Sequence, residues 1–493
     1  MNSFLIQNEQ TRAECLELVS VGKNFTSSQD SKPMLAIKQD AMTGAYKLTY
    51  GRVPIDPDVF MDCFTHDKYP FERYIQKFDH ILAVYNKLGY FNNLTSQSLQ
   101  NLQQALDKVN SKKRKTVNDK KEIEALSNAI QKESHTLFEK KKNELMYCGH
   151  SLFSFLLPDD FEYTIDNGMS PIMNAEGKPE PIVITHGVLI SGTLNKAAMG
   201  SASASLIHHI WKDYGEKVAC EFVSMFQICI NFWFQHQGFS IGLEDFIPGN
   251  KDIIQNEMQR CFLKAHAIMN TETDPEVKEM GIMMELNKAA TVGQKHAKAA
   301  LQPTNNLVSM IRSGSKGDWL NITQVTGLVG QQYVSAQRIH KSFGNRTLPH
   351  YPRQGLLSTS PDTIAENASI SQICKLFQSR GFVTSSFYYG LQPAEFFFVA
   401  AGGREGLIDT GCKTADTGYS QRRLTKMMED FRAAYTGVVT NSIDNIIQFD
   451  YGGDNMDASH LINVSKDSTE KVFSFVDAEH LAERLNKKFE LTL

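Results

Sequence analysis

From residue 392 to residue 430 the chain reads QPAEFFFVAAGGREGLIDTGCKTADTGYSQRRLTKMMED, with no proline after Pro393. Alanine, leucine, methionine and long polar side chains dominate its second half, a composition that favours helix. The pattern predicts one helix of roughly 35 residues, about 50 Å long, enough to span a domain. Gly402, Gly403, Gly406, Gly411 and Gly418 all fall inside it. Each costs about 1 kcal/mol against alanine in a helix interior. A helix that carries them needs a reason, either another backbone packed very close or bending as part of its work. In a competing reading, Gly402-Gly403 marks the helix start and only the other three are interior.

Thr410, Thr414, Thr417 and Gln421 recur at i, i+4, i+7 and i+11 and so share one stripe. Lys413, Ala415 and Gly418 are read as flanking it. The stripe is small and polar, a surface on which a flat group such as a base pair can lie. Arg422, Arg423 and Lys426 follow and suit phosphates, and Tyr419 offers an aromatic face near the same end. Tight core packing of small residues is the plain alternative, but it leaves the neighbouring cations unexplained.

At a rough 100–200 residues per domain, the 493 residues allow about three domains. Hydrophobic residues at 41% and charged residues at 22% suit globular cores, and a net charge of −4 excludes a chain that is basic throughout. No uninterrupted apolar run of bilayer length occurs, so no membrane span and no membrane partner are expected. Glu9, Arg12, Glu14 and Glu17 deny the start of the chain a signal-peptide core. The cysteines form no CxxC pair, and buried reduced thiols in an intracellular compartment are expected. No metal site is expected either: His208-His209 and the scattered acids show no ligand spacing. GxSxG is absent, so a free-standing hydrolase lacks support.

Several further elements are legible. Leu102, Leu106 and Val109, then Ile123, Leu126 and Ile130, predict two helices around a polar break, a lysine-rich surface insertion at about 95–142. PIVITHGVLISGTL, residues 181–194, reads as two strands turning at His186-Gly187. Residues 201–237 read as a helix in two pieces broken at Tyr214-Gly215. The second piece is apolar almost all round and is expected to be buried. Residues 252–300 read as a helical hairpin. Ile253, Met258, Cys261, Phe262 and Ala265 are set against Met280, Met284, Leu286, Ala289 and Ala297, with a turn at 270–274 and Pro275 opening the second helix. Residues 312–353 carry a net charge of +5 and are punctuated by Gly314, Gly317, Gly327 and Gly330. That suits phosphate contact as well as an ordinary basic loop. Asp450, Asp454 and Asp457 read as a turn.

GGREGLIDTGCKTADTGYSQRRLTKMMED resembles the bridge helix of the largest subunit of multisubunit DNA-directed RNA polymerases, and is most similar to the eukaryotic RNA polymerase II and large-DNA-virus type. SGSKGDWLNITQVTGLVGQQ (313–332) resembles that family's segment at the inner end of the funnel, and RTLPHY (346–351) follows at the expected place. RGFVTSSFYYGLQPAEFFF leads into the bridge helix as in the family. FWFQHQGFSIGLEDF resembles the start of the funnel helices, and KPMLAIKQDAMTGAYKLT (32–49) the segment after the catalytic barrel. The resemblance is colinear over nearly the whole chain, with no counterpart for the insertion.

The resemblance implies a mixed α/β, mostly α-helical, multidomain segment. Residues 1–200 would hold the end of the catalytic barrel and the pore, 201–391 the funnel with the hairpin 252–300, and 392–493 the bridge helix and the start of the cleft. The implied activity is DNA-templated RNA synthesis, a nucleotidyl transfer by the assembled complex. Lys413, Thr414 and Ala415 would touch the template base. Gly411 and Gly418 would allow bending, and Tyr419, Arg422 and Arg423 would contact the template strand or neighbouring active-site loops. Lys316 would line the pore through which nucleotides enter, with Gln331 and Glu405 in support. Gly411 and Asp416 stand where the family often has alanine and glutamate. The family's NADFDGDEMN motif is absent. Mg2+ is therefore expected in the assembled enzyme but not on this chain, which is expected to be inactive alone. The opening Met1-Asn2-Ser3 resembles the tail of that motif, so a split subunit or a fragment is expected. The implied partners are the second-largest subunit, other polymerase subunits and pieces of the largest subunit, template DNA, RNA, nucleoside triphosphates and a transcript-cleavage factor at the funnel. The implied location is the nucleus, or the virion and host cytoplasm. The alternative is a non-catalytic helical nucleic-acid-binding scaffold.

Overall fold

In a computed structural model, the described residues are 3, 5–65, 71–92, 94, 96–110, 117–166, 168, 170–174, 176–247, 251–302, 304–351, 369–464 and 472–492. The chain is mixed α/β and mostly helical. It parts into two compact units, one comprising Met1–Phe239, Arg312–Ser315 and Asp457–Leu493, the other Ser240–Ile311 and Lys316–Met456.

The first unit is built on the helix Leu206–Gln237. Gly215 breaks it at φ 85°, ψ 177°, a conformation only glycine adopts cheaply, so the expected two pieces are present. The second piece is not buried all round. Ala219, Phe222, Phe226, Cys229, Ile230 and Trp233 form the buried stripe, while Glu221, Ser224, Ile228 and Asn231 face out. Its mixed sequence is thus amphipathic at a period the apolar bulk of the outer residues conceals. By length and composition this helix, alone among the described residues, could cross a bilayer, against the expectation that no segment could. Its stripe packs instead into a core with Phe60, Phe153, Phe155 and Phe161.

Beside that core lies an antiparallel sheet ordered Tyr163–Ile165, Ile182–Thr185, Val188–Ser191. The turn falls at His186-Gly187, both with positive φ, the geometry of a tight two-residue hairpin. A Cβ on Gly187 would stand 2.1 Å from the Pro158 carbonyl oxygen, which forbids any other residue there. The insertion holds helices Gln97–Asn110 and Val117–Met146. Its polar break falls at residues 111–116, outside the described residues.

In the second unit, Lys251–Thr271 and Pro275–Ala300 form the expected hairpin. Its apolar seam is Ile254, Met258, Cys261, Phe262, Ala265 and Met269 against Ile282, Leu286 and Ala289, closed by Phe377 and Phe382. Ile253, Met280 and Met284, expected in the seam, are exposed. On the first helix Met258, Cys261, Phe262 and Ala265 stand as expected, and Ile254 rather than its neighbour Ile253 fills the seam. On the second, two exposed methionines mimicked core positions. Arg338 reaches across to the hairpin, its Nε and Nη2 each 2.6 Å from a Glu279 carboxylate oxygen. Burial pushes that carboxyl up, but the Arg338 hydrogen bonds and charge outweigh it and hold it below its ordinary value. All eight cysteines are free; Cys412 is exposed, which departs from the expectation of uniformly buried thiols.

Candidate nucleic-acid interface

The long helix runs Pro393–Met428, 36 residues, with all five glycines inside it. Proline at its first position has no amide to leave unpaired. Glu395 closes the start. Its carboxylate accepts from Gln392 N at 3.1 Å, Thr384 N at 2.9 Å, Thr384 Oγ1 at 3.0 Å and Ser385 N at 3.3 Å. Burial pushes its pKa up, but these donors outweigh burial and leave it lowered. Phe398 is fully buried one turn on. Gly402 lets the helix pass close to the segment beside it, for a Cβ there would lie 3.2 Å from the Tyr333 carbonyl oxygen. Glu405 then accepts from Ser335 N with both oxygens, at 2.7 and 2.9 Å. Ser335 and Ala336 have φ 54° and 59°, strained for residues with a Cβ, in the turn between the short strands Tyr333–Val334 and Gln337–Arg338. Glu405 pins that turn.

Beyond this anchor the helix changes character. Every residue from 406 to 428 is exposed, a stretch of about 35 Å. A Cβ on Gly403, Gly406, Gly411 or Gly418 would meet nothing within 4 Å. Close packing therefore explains Gly402 alone among the five. The stretch is held by its own side chains. Lys413 Nζ pairs with Asp409 at 2.6 Å, which raises the lysine's pKa through the Asp409 hydrogen bond and charge. The Arg423 guanidinium lies 4.8 Å from the Tyr419 ring centre. Thr410, Thr414 and Thr417 donate to the carbonyls of Gly406, Thr410 and Lys413 at 2.8, 2.6 and 2.6 Å. The stripe that reads as polar has its hydroxyls turned into the helix backbone, and a partner meets methyl groups.

At about 100° per residue, Lys413, Thr414, Thr417 and Gln421 stand together on one side. Gly418 stands at its edge. Ala415, Tyr419, Arg422 and Arg423 lie on the opposite side, so Ala415 does not flank the stripe as its position in the sequence suggested. The helix offers two chemically distinct faces, one methyl-lined with a lysine, the other aromatic and cationic.

Lys316 is exposed between Gly314 and Gly317, both with positive φ. Gln331 is half-buried, and its Nε2 donates to the Gln332 and Arg380 carbonyls at 2.8 and 2.9 Å. Gln331 and Glu405 thus serve the same segment, 330–338, as ties, and no hydrogen bond joins Lys316 to either among the described residues. Asp450, Asp454 and Asp457 accept from Asn455 Nδ2, Met456 N and Ser459 N, holding the expected turn. Sequence reading missed Glu395, and it gave Glu405 a supporting place without the tie to Ser335. The signal was present in Gln392 and Glu395, a capping pair three residues apart around Pro393.

Residues 24–246, 264–383 and 390–478 match the family models described as RNA polymerase Rpb1, domain 3, domain 4 and domain 5. The chain is 31% identical over 475 residues to a probable DNA-directed RNA polymerase II subunit RPB1 homolog of Invertebrate iridescent virus 6, covering 94% of this chain and 40% of the relative. It is 30% identical over 474 residues to the DNA-directed RNA polymerase II subunits RPB1-B and RPB1-A of Trypanosoma brucei brucei, covering 94% of this chain and 22% of each. The chain therefore spans well under half the length of these relatives.

Proposed function

This chain belongs to the RNA polymerase Rpb1 family as a middle segment of the largest subunit, and on that premise we propose that it works within an assembled DNA-directed RNA polymerase, where the helix Pro393–Met428 lies against the template. The observation that carries this is the stretch 406–428. It is exposed on every side, carries three interior glycines and still follows one unbroken helix. Each of those glycines costs about 1 kcal/mol against alanine in a helix and none is explained by packing within the chain, which favours a surface outside this chain as the second support. The methyl-lined face of Thr410, Thr414 and Thr417 suits the flat edge of a base. Lys413 at its border suits a backbone phosphate. On the opposite face Tyr419, Arg422 and Arg423 suit further template contact or an active-site loop. Gly411 and Gly418, free of packing, allow the helix to bend between steps. Lys316 is a cation free to meet triphosphate charge.

Nucleotidyl transfer in such a complex uses Mg2+, which supplies charge stabilisation and activates the attacking hydroxyl. The carboxylates of the 450–457 turn are each engaged locally, by Asn455, Met456 and Ser459, and do not fit such an ion. The role of this chain is positioning. The hairpin Lys251–Thr271 and Pro275–Ala300 exposes Val277, Met280 and Met284, an apolar edge suited to a transcript-cleavage factor. In the reconstituted complex, Lys413→Ala should slow single-nucleotide addition without loss of assembly, since alanine preserves the helix. Shortening the hairpin turn should lower factor-stimulated cleavage and spare elongation. Wild-type addition rates in Lys413→Ala would count against the template reading.

A further inference from the structure

The helix Leu206–Gln237 and the helix Ala478–Thr492, both in the first unit, carry a group of side chains that templated synthesis does not use. His209 and Asp213 stand one turn apart on the first helix, a spacing passed over in the sequence, and His480 stands on the second. One ligand atom from each lies within 4.8 Å of the others. His480 Nε2 is 2.9 Å from Asp213 Oδ2, and the His209 and His480 rings face each other with centroids 4.3 Å apart. His209 is only 6% exposed. Its ring meets Tyr163 and His480, but no hydrogen bond reaches its nitrogens among the described residues. What faces it is a carboxylate and a second imidazole.

We propose that His209, Asp213 and His480 form a binding site for one divalent transition-metal ion of the zinc class, which clasps the helix Ala478–Thr492 to the kinked helix. Two imidazoles and one carboxylate suit a borderline cation such as Zn2+, whereas Mg2+ and Ca2+ take oxygen shells. Ligand atoms about 2.1 Å from a tetrahedral ion stand about 3.4 Å apart. The widest pair must therefore close by up to about 1.4 Å and the His480–Asp213 pair open by about 0.5 Å, shifts that side-chain rotation supplies, and water completes the fourth position. The competing cation is Arg484, whose Nη1 is 3.5 Å from Asp213 Oδ2 and whose Nη2 is 3.2 Å from Asp160 Oδ2. With the ion bound, Arg484 keeps Asp160 and gives up Asp213. Lys487 on Glu162 at 2.9 Å holds the same helix independently, so the ion tightens an existing dock.

The full chain, stripped with a chelator and titrated with Co2+, should develop the visible d–d bands of a tetrahedral nitrogen–oxygen site at one equivalent, and Zn2+ should abolish them. By elemental analysis, wild type should carry about one more zinc per chain than His480→Ala. His236→Ala, on an exposed position of the same helix, should match wild type. Arg484→Gln should bind the ion more tightly than wild type, because the competing charge on Asp213 is gone. Absence of the cobalt bands in wild type overturns the site, and so does equal zinc in wild type and a folded His480→Ala. If the group is an ion-pair cluster only, Arg484→Gln binds no metal and Zn2+ leaves its melting temperature unchanged, which also overturns it.

Discussion

The helices Leu206–Gln237 and Pro393–Met428 are of similar length, 32 and 36 residues, and contain glycines that a helix does not favour. They use them in opposite ways. In the first, Gly215 adopts a non-helical conformation and breaks the rod, and the piece that follows sinks Phe222, Phe226, Ile230 and Trp233 into a core. In the second, no glycine breaks the rod, and only Glu395 and Phe398 are buried. Leu407, Leu424 and Met427 are 70%, 59% and 73% exposed, apolar surface that a chain serving itself would cover. A helix held by its own core tolerates a kink, because packing fixes each piece. A helix held at one end stays continuous when it must reach something beyond the chain. The first serves the chain's own core; on the proposed reading, the second finds its other support outside the chain.

The sharpest way to break this contrast is to truncate matching apolar residues on the two helices. Phe226→Ala should cost about 3–5 kcal/mol through lost burial and a cavity. Leu424→Ala should stay within about 0.5 kcal/mol, as exposed positions do. Urea titration of the free chain reads both. Comparable losses would mean that 406–428 is packed in solution.

Acid should separate the first unit from the long helix next. Burial, with Arg52 adding to it, pushes His150 down to about 4. The unfolded chain binds this proton first, at its ordinary value near 6.5, so stability is whole above that pH and falls as pH drops toward 4. The loss is about 1.4 kcal/mol per pH unit, or about 2 kcal/mol at pH 5. Unfolding titrations at pH 7 and pH 5 check it, and a flat profile would show that His150 finds a partner in solution.

A smaller effect probes the glycines themselves. With nothing within 4 Å of a Cβ at Gly418, Gly418→Ala should stiffen the helix by about 1 kcal/mol and leave melting of the first unit unchanged. In the assembled enzyme it should alter the rate of translocation. A loss of assembly would instead mean that a partner backbone packs against Gly418.

How much of this was legible in the sequence differs between the same two helices. The long helix, its proline start and its glycines followed from composition and spacing, because little tertiary packing competes with local preference there. The Gly215 break and the His186-Gly187 turn were legible for the same reason, since glycine announces positive φ. The buried stripe of Leu206–Gln237 was not, because Ile228 and Phe232 are as apolar as the residues beneath them, and only packing decides which face turns in. The seam of the hairpin failed likewise at Ile253 against Ile254. In the candidate interface, the line 410–421 was legible, but not that the hydroxyls of Thr410, Thr414 and Thr417 turn to the backbone. Back-bonding of threonine hydroxyls to the preceding turn cannot be seen in a list of residues. In the group His209, Asp213 and His480, the one-turn spacing of the first two was open to reading, but His480 lies 267 residues beyond Asp213, out of reach of any local pattern.

The central claim is that the exposed stretch 406–428 lies against template DNA. A photoreactive side chain placed at Thr414 in the reconstituted polymerase, stalled on a labelled template, tests it most directly. The account predicts a crosslink to the template strand at the position of nucleotide addition, and a far weaker one from a control site at Ile228 on the outer face of the kinked helix. Equal crosslinking from both sites, or crosslinks from Thr414 to protein alone, would contradict it.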